Sequence, residues 1–365
     1  MRVLAWGTFD PRTHPRAGVL IEGLRAHGVE VEEIRRPLGL STADRVRLLR
    51  EPWRLPLLLV RVLRCWAWLA WHGRRATRAA PADAVLVGYL GHFDVLLARL
   101  LFPRTQIVHD LLIFASDTAR DRGAGGVRQW LLGRLDRVAI AASDVVVLDT
   151  DEHAAMMPRD AGHKACVVRV GAPADWFTAR GTVSDRGGLS AVFFGLFTPL
   201  QGARTIGAAA GLLAGEPRIR LTMIGSGQDL AATQAAAAAN PSVTWLPWVE
   251  AQDLPAAVAE HDVCLGIFAR DGKGSRVVPN KVFQGAAAGC ALVTADTPPQ
   301  RRALGDAAAY VPAADPVALA GVLRQLADDP PRLAGLRAAA ASVADRQFRA
   351  AVVVEPLLAR LPTRD

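Results

Sequence analysis

One stretch of the chain, Arg276 to Pro299 (RVVPNKVFQGAAAGCALVTADTPP), places a cation where elementary electrostatics disfavours it. Pro279-Asn280 predicts a turn and N-cap, after which Lys281, Phe283 and Gln284 open a short helix of small residues that ends near Gly289 and runs into a strand. The first turn of a helix carries partial positive charge, so Lys281 is unfavourable there unless an anion sits beside it. A bound diphosphate resolves the conflict; so does a side chain that simply reaches solvent. Upstream, the strand-like LTMIG runs into Gly225-Ser226-Gly227-Gln228-Asp229-Leu230, a glycine turn that lets backbone amides approach a phosphate at a helix N-terminus. The third glycine of a dinucleotide fingerprint is missing, and the same turn could need glycine for geometry alone.

The first half offers different chemistry. His109 and Asp110 end an apolar strand, where ligands bind in open α/β sheets. His109 is the residue type that handles protons near neutral pH, and a structural histidine is the alternative. Gly7-Thr8, ending the first apolar run, would allow close backbone approach to a phosphate or form a plain tight turn. Asp149-Thr150-Asp151 has the spacing of a divalent-metal pair, but Thr150 or Asp151 better suits a cap on the helix beginning at Glu152, and no metal site is expected.

Parallel sheets must carry these residues. Short apolar runs at Arg2–Phe9, Val29–Arg36, Ala84–Leu90, Gln106–Leu112, Val145–Thr150 and Cys166–Ala172 alternate with amphipathic stretches, which predicts strands covered on both faces by helices. The polar stretch Thr178 to Gly188 (TARGTVSDRGG) has no hydrophobic period and reads as a linker. The rhythm then restarts at Ser190–Phe197, Ile219–Gly225, Val243–Val249, Val263–Phe268, Ala291–Ala295 and Ala308–Pro312. Two α/β domains follow, 1–177 and 178–342, with the apolar stretch 343–365 crossing back to the first. A chain of 365 residues is the right length for two such cores.

Composition sets the outer limits. With 51% hydrophobic and 21% charged residues the chain is globular rather than disordered. A net charge of +8 suits nucleotide diphosphates, acidic headgroups or nucleic acid without choosing among them, though no nucleic-acid reading motif is present. Cys65, Cys166, Cys264 and Cys290 lie far apart, so a reducing cytoplasm fits better than a disulfide framework. Met1 to Asp10 lacks the pattern of a signal peptide, which predicts a chain that stays inside the cell. Arg54 to Trp71 (RLPLLLVRVLRCWAWLAW) is nearly long enough to span a bilayer but is interrupted by Arg61 and Arg64. Arg47, Arg50, Arg54, Arg61 and Arg64 share one side of a helical wheel, with Leu58, Leu59, Leu63, Trp66 and Leu69 off it, as in a helix lying in a membrane interface. Pro52 and Pro56 would break the helix near its start. A helix packed on its own sheet is the other reading.

An ordered set of motifs in the second half resembles the retaining glycosyltransferases of family four. It comprises Phe194-Gly195 with Pro199-Leu200-Gln201-Gly202, Ile224-Gly225-Ser226-Gly227, Val278-Pro279-Asn280-Lys281-Val282-Phe283, Ala288-Gly289 and Thr294-Ala295-Asp296-Thr297. Pro15-Arg16 with Glu22-Gly23-Leu24, Val108-His109-Asp110 and Val147-Leu148-Asp149-Thr150 look like the acceptor domain of one bacterial branch. The resemblance implies a GT-B fold of two facing Rossmann-like domains with a nucleoside-diphosphate sugar held mainly by the second. It implies transfer to a lipid-linked or polysaccharide acceptor with retention of configuration, without metal or cofactor. Gly7, Thr8, Gly195, Gln201, Arg204, Gly225, Gly227, Trp248, Arg276, Asn280, Lys281 and Gln284 would bind the donor, and His109 and Asp110 would be catalytic or touch the sugar. Where the family carries two glutamates this chain has Arg276 and Gln284, and where it carries a lysine beside the first loop glycine this chain has Gln201. Gln284 still hydrogen-bonds a ribose hydroxyl but brings no negative charge. A degenerate relative that binds sugar or a partner without turnover is the rival reading. The implied location is cytoplasmic, peripheral on the inner membrane face through residues 47–71, with no nucleic-acid partner.

Overall fold

The computed structural model describes residues 1–11, 14–39, 55–89, 91–117, 125–181, 187–270 and 272–362. The chain folds as two compact units, one of residues 1–149, 154–168 and 354–365, the other of residues 150–153 and 169–353.

Unit 1 is built on six parallel strands: β1 (Arg2–Gly7), β2 (Glu30–Arg35), β3 (Ala84–Val87), β4 (Gln106–Asp110), β5 (Val145–Leu148) and β6 (Ala165–Val167), in the order β2–β1–β3–β4–β5–β6. Helices α1 (Pro15–Ala26), α2 (Leu55–Ala79), α3 (His92–Leu101) and α4 (Gly126–Ala142) cover it. Both faces of a parallel sheet are buried, so β1, β3 and β5 are buried at every position and were legible as continuous runs. Leu4, Trp6, Val85, Val87 and Ile107 of the sheet pack with Leu69 of α2 and Val95 and Ala98 of α3. The Trp6 indole donates to the Leu69 carbonyl at 3.1 Å. Helix α2 therefore packs on the sheet through Cys65, Leu69 and Ala76. Pro56 sits in its first turn, where no intrahelical N–H is required. Of the apolar residues named off the basic side, Leu69 faces the sheet while Leu59 and Leu63 are exposed, as is Arg64. Arg47, Arg50, Pro52 and Arg54 lie outside the described residues. No described helix is long and apolar enough to cross a membrane.

Unit 2 repeats the plan with β7 (Leu189–Phe194), β8 (Ile219–Ile224), β9 (Val243–Leu246), β10 (Val263–Leu265), β11 (Ala291–Ala295) and β12 (Ala308–Val311), ordered β12–β11–β10–β7–β8–β9. Its helices include α5 (Ala203–Leu212), α6 (Leu230–Ala237), α7 (Asn280–Ala287), α8 (Pro298–Leu304), α9 (Pro316–Asp328) and α10 (Pro330–Gln347). Asp315 and Asp329 cap α9 and α10 with carboxylates that accept from Ala318 and Arg332 N–H, each ahead of a proline in the first turn. Strand order reverses between β7 and β10, and the crevice outside the carboxyl ends of such a pair is where ligands bind in open α/β sheets.

The unit boundaries fall elsewhere than 177 and 343. The chain enters unit 2 after Val168, because Trp176 stacks on Phe194 at 5.5 Å. It leaves only after Val353, because Phe348 packs edge-on against Phe283 at 4.8 Å and accepts at its carbonyl from Ala172 N–H. The returning element is the single turn Glu355–Leu358, after which Arg360 donates to the carbonyls of His163 and Ala165 in unit 1. Residues 150–153 also belong to unit 2. Thr150 Oγ1 donates to the Arg276 carbonyl at 2.8 Å and accepts from His153 N–H, so Thr150 caps the turn Asp151–Ala154, while Arg302 pairs with Asp151 and Glu152.

A buried ion pair fastens α1 to β4: Arg16 Nε donates to Asp110 Oδ1 at 2.7 Å and Arg16 Nη1 to the Val168 carbonyl at 3.0 Å. Removing one partner of such a pair strands the other charge. Arg16→Leu is expected to cost about 3–5 kcal/mol in urea unfolding, with Arg16→Leu/Asp110→Leu recovering much of it. In the single variant the deficit shrinks as pH falls, since a buried, unpaired Asp110 binds its proton more tightly folded than unfolded.

Candidate functional site

The site grows from the end of β7. Gly195 follows the strand with φ +128, a conformation that side-chain-bearing residues rarely adopt, and Gly225 after β8 packs so closely that an added Cβ would overlap the Gly195 carbonyl. The Gly195 and Gly225 amides continue the sheet, donating to the Ile224 and Leu246 carbonyls. Gly227 likewise lies against the Phe197 backbone. These glycines thus serve close packing of two loops, and the amides of Gly195 and Gly225 are committed to the sheet rather than presented to a phosphate.

Past Gly195 the chain makes a 3-10 turn, Pro199–Gln201, and enters α5 through Gly202 in the left-handed region at φ +66. This sets Gln201 opposite the start of α7. Pro279 is extended and takes the N-cap place, so Asn280 is the first helical residue rather than the cap, and Lys281 the second. The other end of α7 closes as expected: Gly289 has φ +85, and Gly289 and Cys290 N–H bond back to Ala286 and Gly285 carbonyls.

Lys281 is 5% exposed. Its Nζ donates to Gln201 Oε1 at 2.6 Å and lies 3.6 Å from the centroid of the Phe193 ring. Nζ lies beside Gly195, whose glycine is required by its φ of +128 rather than by the ammonium, since an added Cβ would meet Nζ only at an ordinary contact distance of 3.5 Å. No carboxylate among the described residues pairs with it. Burial lowers its pKa to about 7. Hydrogen bonding and the aromatic face hold the cation in place, but they neutralise it only in part. Phe193, the floor of this arrangement, was not a candidate in the sequence; an aromatic in an apolar strand gives no sign of what lies over it.

The remaining candidates of unit 2 divide. Gln284, one helical turn after Lys281, is buried on α7, and Asn280 and Arg276 are half-buried beside its start. Arg204 is engaged by Asp229, donating from Nε and Nη2 at 3.1 and 2.9 Å, so its guanidinium is tied to a carboxylate rather than held out for a phosphate. Trp248 is 69% exposed, with its indole N–H on Glu250. Thr294, Thr297 and Gln300 are consumed in a local network that fixes the turn between β11 and α8.

In unit 1 the structure does not fit the expected roles. His109 is fully buried, neither ring nitrogen meets a hydrogen-bond partner, and burial above all, then nearby His92, lowers its pKa to about 3. Its ring packs edge-on against His92, which donates to Asp136 at 3.0 Å. A neutral, sealed imidazole handles no proton at physiological pH. Asp110 is equally buried and bound to Arg16. Thr8 N–H and Oγ1 both donate to Asp94 Oδ2 at 2.7 Å, and Trp66 Nε1 donates to Asp94 Oδ1 at 2.9 Å. The amide expected to meet a phosphate already holds a carboxylate.

Residues 189–329 match the family model described as glycosyl transferases group 1. Among solved structures, sucrose-phosphate synthase from Thermosynechococcus elongatus is similar over 98% of both chains, with a TM-score of 0.72 and 13% identity. The Anabaena protein HepE in complex with UDP-glucose is similar over 99% of both chains, with a TM-score of 0.65 and 12% identity. A mutant form of TarM from S. aureus, in complex with UDP among other ligands, matches 76% of this chain and 54% of its own, with a TM-score of 0.56 and 10% identity. No curated protein matches in sequence. The chain has the GT-B fold. At these identities the likeness is one of fold, and the sequence match places a glycosyl transferases group 1 domain within unit 2.

The depressed pKa of Lys281 would make the binding of an anion beside it pH-dependent. Above about pH 7 the free side chain loses its proton, whereas an anion beside it stabilises the charged form. If an anion such as the diphosphate of a nucleotide sugar, which stays ionised throughout, seats beside Lys281, its affinity is expected to fall as pH rises through 7, by up to about tenfold per unit. Calorimetry in buffers of different ionisation enthalpy should register proton uptake on binding near pH 8, and none in Lys281→Met.

Proposed function

We propose that the chain is a glycosyltransferase that moves a hexose or related sugar from a nucleoside-diphosphate sugar to a lipid-linked or polysaccharide acceptor, with retention at the anomeric carbon. The observation that carries this reading is the buried, incompletely neutralised ammonium of Lys281 at the start of α7, beside the switch point of the second sheet. As the bond from anomeric carbon to phosphate breaks, negative charge grows on the departing diphosphate. A preorganised ammonium with a helix N-terminus behind it stabilises that charge more than it stabilises the ground state, which is what lowers a barrier. No metal is required for this step.

Gln201 holds Lys281 in register, Gln284 reaches a ribose hydroxyl, and the exposed indole of Trp248 offers a face to the nucleobase. Arg276 and Asn280 flank the diphosphate. Unit 1 is left to the acceptor. A cytoplasmic position, peripheral on the inner face of the membrane, suits a lipid-linked acceptor. The UDP and UDP-glucose complexes of HepE, which shares the fold, support a nucleotide-sugar donor. A second reading, binding without turnover, is favoured by the sealed His109 and by Arg276 and Gln284 standing where the resembling enzymes carry glutamates.

Thermal shift with UDP-, GDP-, dTDP- and ADP-glucose identifies the base, since a ligand at about 100 times its Kd stabilises by roughly 2.7 kcal/mol. With that donor, Lys281→Met is expected to lower kcat/KM for donor hydrolysis or transfer by at least about 100-fold while the fold persists. The product anomer, read by NMR, should match that of the donor. A wild-type protein that binds the donor but never cleaves it would leave the binding reading in its place.

A further inference from the structure

Eleven of the sixteen exposed large hydrophobic side chains among the described residues lie on three helices of unit 1, α2, α3 and α4. These helices are neighbours: α3 packs against both α2 and α4. On α2 the outward stripe is Leu57, Val60, Leu63 and Trp71 in its N-terminal two-thirds, followed by Arg74, Arg75 and Arg78. On α4, Val127, Trp130, Leu131 and Val138 are exposed at helical spacing, interleaved with Arg134.

The charges on this layer have one sign. The three helices contain two carboxylates, Asp94 and Asp136, and both are buried. Asp94 is saturated by Thr8 and Trp66, and Asp136 by His92, Ala115 and Ser116. Against them stand nine arginines, of which only Arg99 pairs with a carboxylate, Asp144, among the described residues. Two exposed tryptophans carry an arginine over the ring: Arg75 Cζ lies 5.7 Å from the Trp71 centroid and Arg134 Cζ 5.3 Å from that of Trp130. Ala67, Ala70, Trp71, Arg74, Arg75 and Arg78 line an open groove of about 550 Å³.

We propose that α2, α3 and α4 together form the face by which unit 1 lies on an anionic phospholipid bilayer. The indoles of Trp71 and Trp130 sit at the headgroup level, the leucines and valines reach the acyl boundary, and lipid phosphates fill the groove between Arg74, Arg75 and Arg78. The face consists of described residues of α2, α3 and α4, and the proposal holds whichever reaction unit 2 performs. What favours a lipid surface over a protein partner is the single sign of the charge: the three helices expose arginines and no carboxylate, which complements a uniformly anionic surface. Nucleic acid would use the arginines but has no use for Leu57, Val60 and Leu63.

The test is flotation of the full chain with vesicles of phosphatidylcholine, alone or containing about 30% phosphatidylglycerol. Binding to the anionic vesicles only, with a blue shift of tryptophan emission, is expected. Arg74→Gln/Arg75→Gln/Arg78→Gln should reduce the partition coefficient roughly 100-fold, at about 1 kcal/mol for each arginine near an anionic surface. Trp71→Ala/Trp130→Ala should weaken vesicle binding by about tenfold or more while leaving retention on heparin unchanged. All five side chains are at the surface, and thermal unfolding and donor hydrolysis should match the wild type, which separates this outcome from failure of the glycosyltransferase reading. Equal flotation with neutral vesicles, or anionic-vesicle binding unmoved by the arginine substitutions, overturns the proposal. So does absence of vesicle binding alongside steeply salt-dependent binding of single-stranded RNA.

Discussion

The Lys281 ammonium lies where water solvates it poorly and where no carboxylate among the described residues reaches it. An aromatic ring beneath and one amide oxygen beside it supply part of the lost solvation, and the remainder appears as a pKa of about 7. Burying such a group is costly unless something balances the charge. The surrounding structure is shaped around keeping it there. Gly195 takes the positive φ that ends β7 beside Nζ, Gly225 lets the neighbouring loop cross behind Gly195, and the left-handed Gly202 precedes α5 next to Gln201. A buried cation with no counter-ion among the described residues is the kind of place an anionic ligand would complete.

Unit 1 treats buried charge in the opposite way. Asp110 has Arg16, Asp94 has Thr8 and Trp66, and Asp136 collects bonds from His92, Ser116 and two backbone amides. Burial alone pushes the Asp136 carboxyl up, yet those bonds hold it below the usual carboxylate range. Each of these carboxylates is spent on tying a helix or loop to the sheet. The exposed chemistry of unit 1 lies instead on its helical surface, where arginine and tryptophan gather with no exposed acid on the same helices.

Much of the architecture was legible in the sequence because parallel strands buried on both faces read as unbroken apolar runs. All six strands of each unit lie within a residue of where such runs begin, and the runs overshoot their C-terminal ends where the chain turns into loops that are also buried, as at Phe197 and Phe268. The unit boundaries were less legible. Thr178 to Gly188 looks like a linker because it is polar, but the aromatic contacts of Trp176 and Phe348 decide which core each segment joins, and no local pattern names a distant partner.

The sequence by itself determined two α/β units, a lysine set against a helix start, and a basic, tryptophan-bearing helix, because periodicity and helix electrostatics are local properties. Tertiary structure alone decided which polar groups remain available. His109 and Thr8 stand at strand ends just as the ligand-facing residues of such folds do, but packing seals the first and gives the second a carboxylate. It also assigned Arg204 to Asp229 and set Lys281 over Phe193 with no counter-ion among the described residues. The reason is that desolvation and pairing depend on what the rest of the chain brings within a few ångströms, and residue type and spacing leave that open.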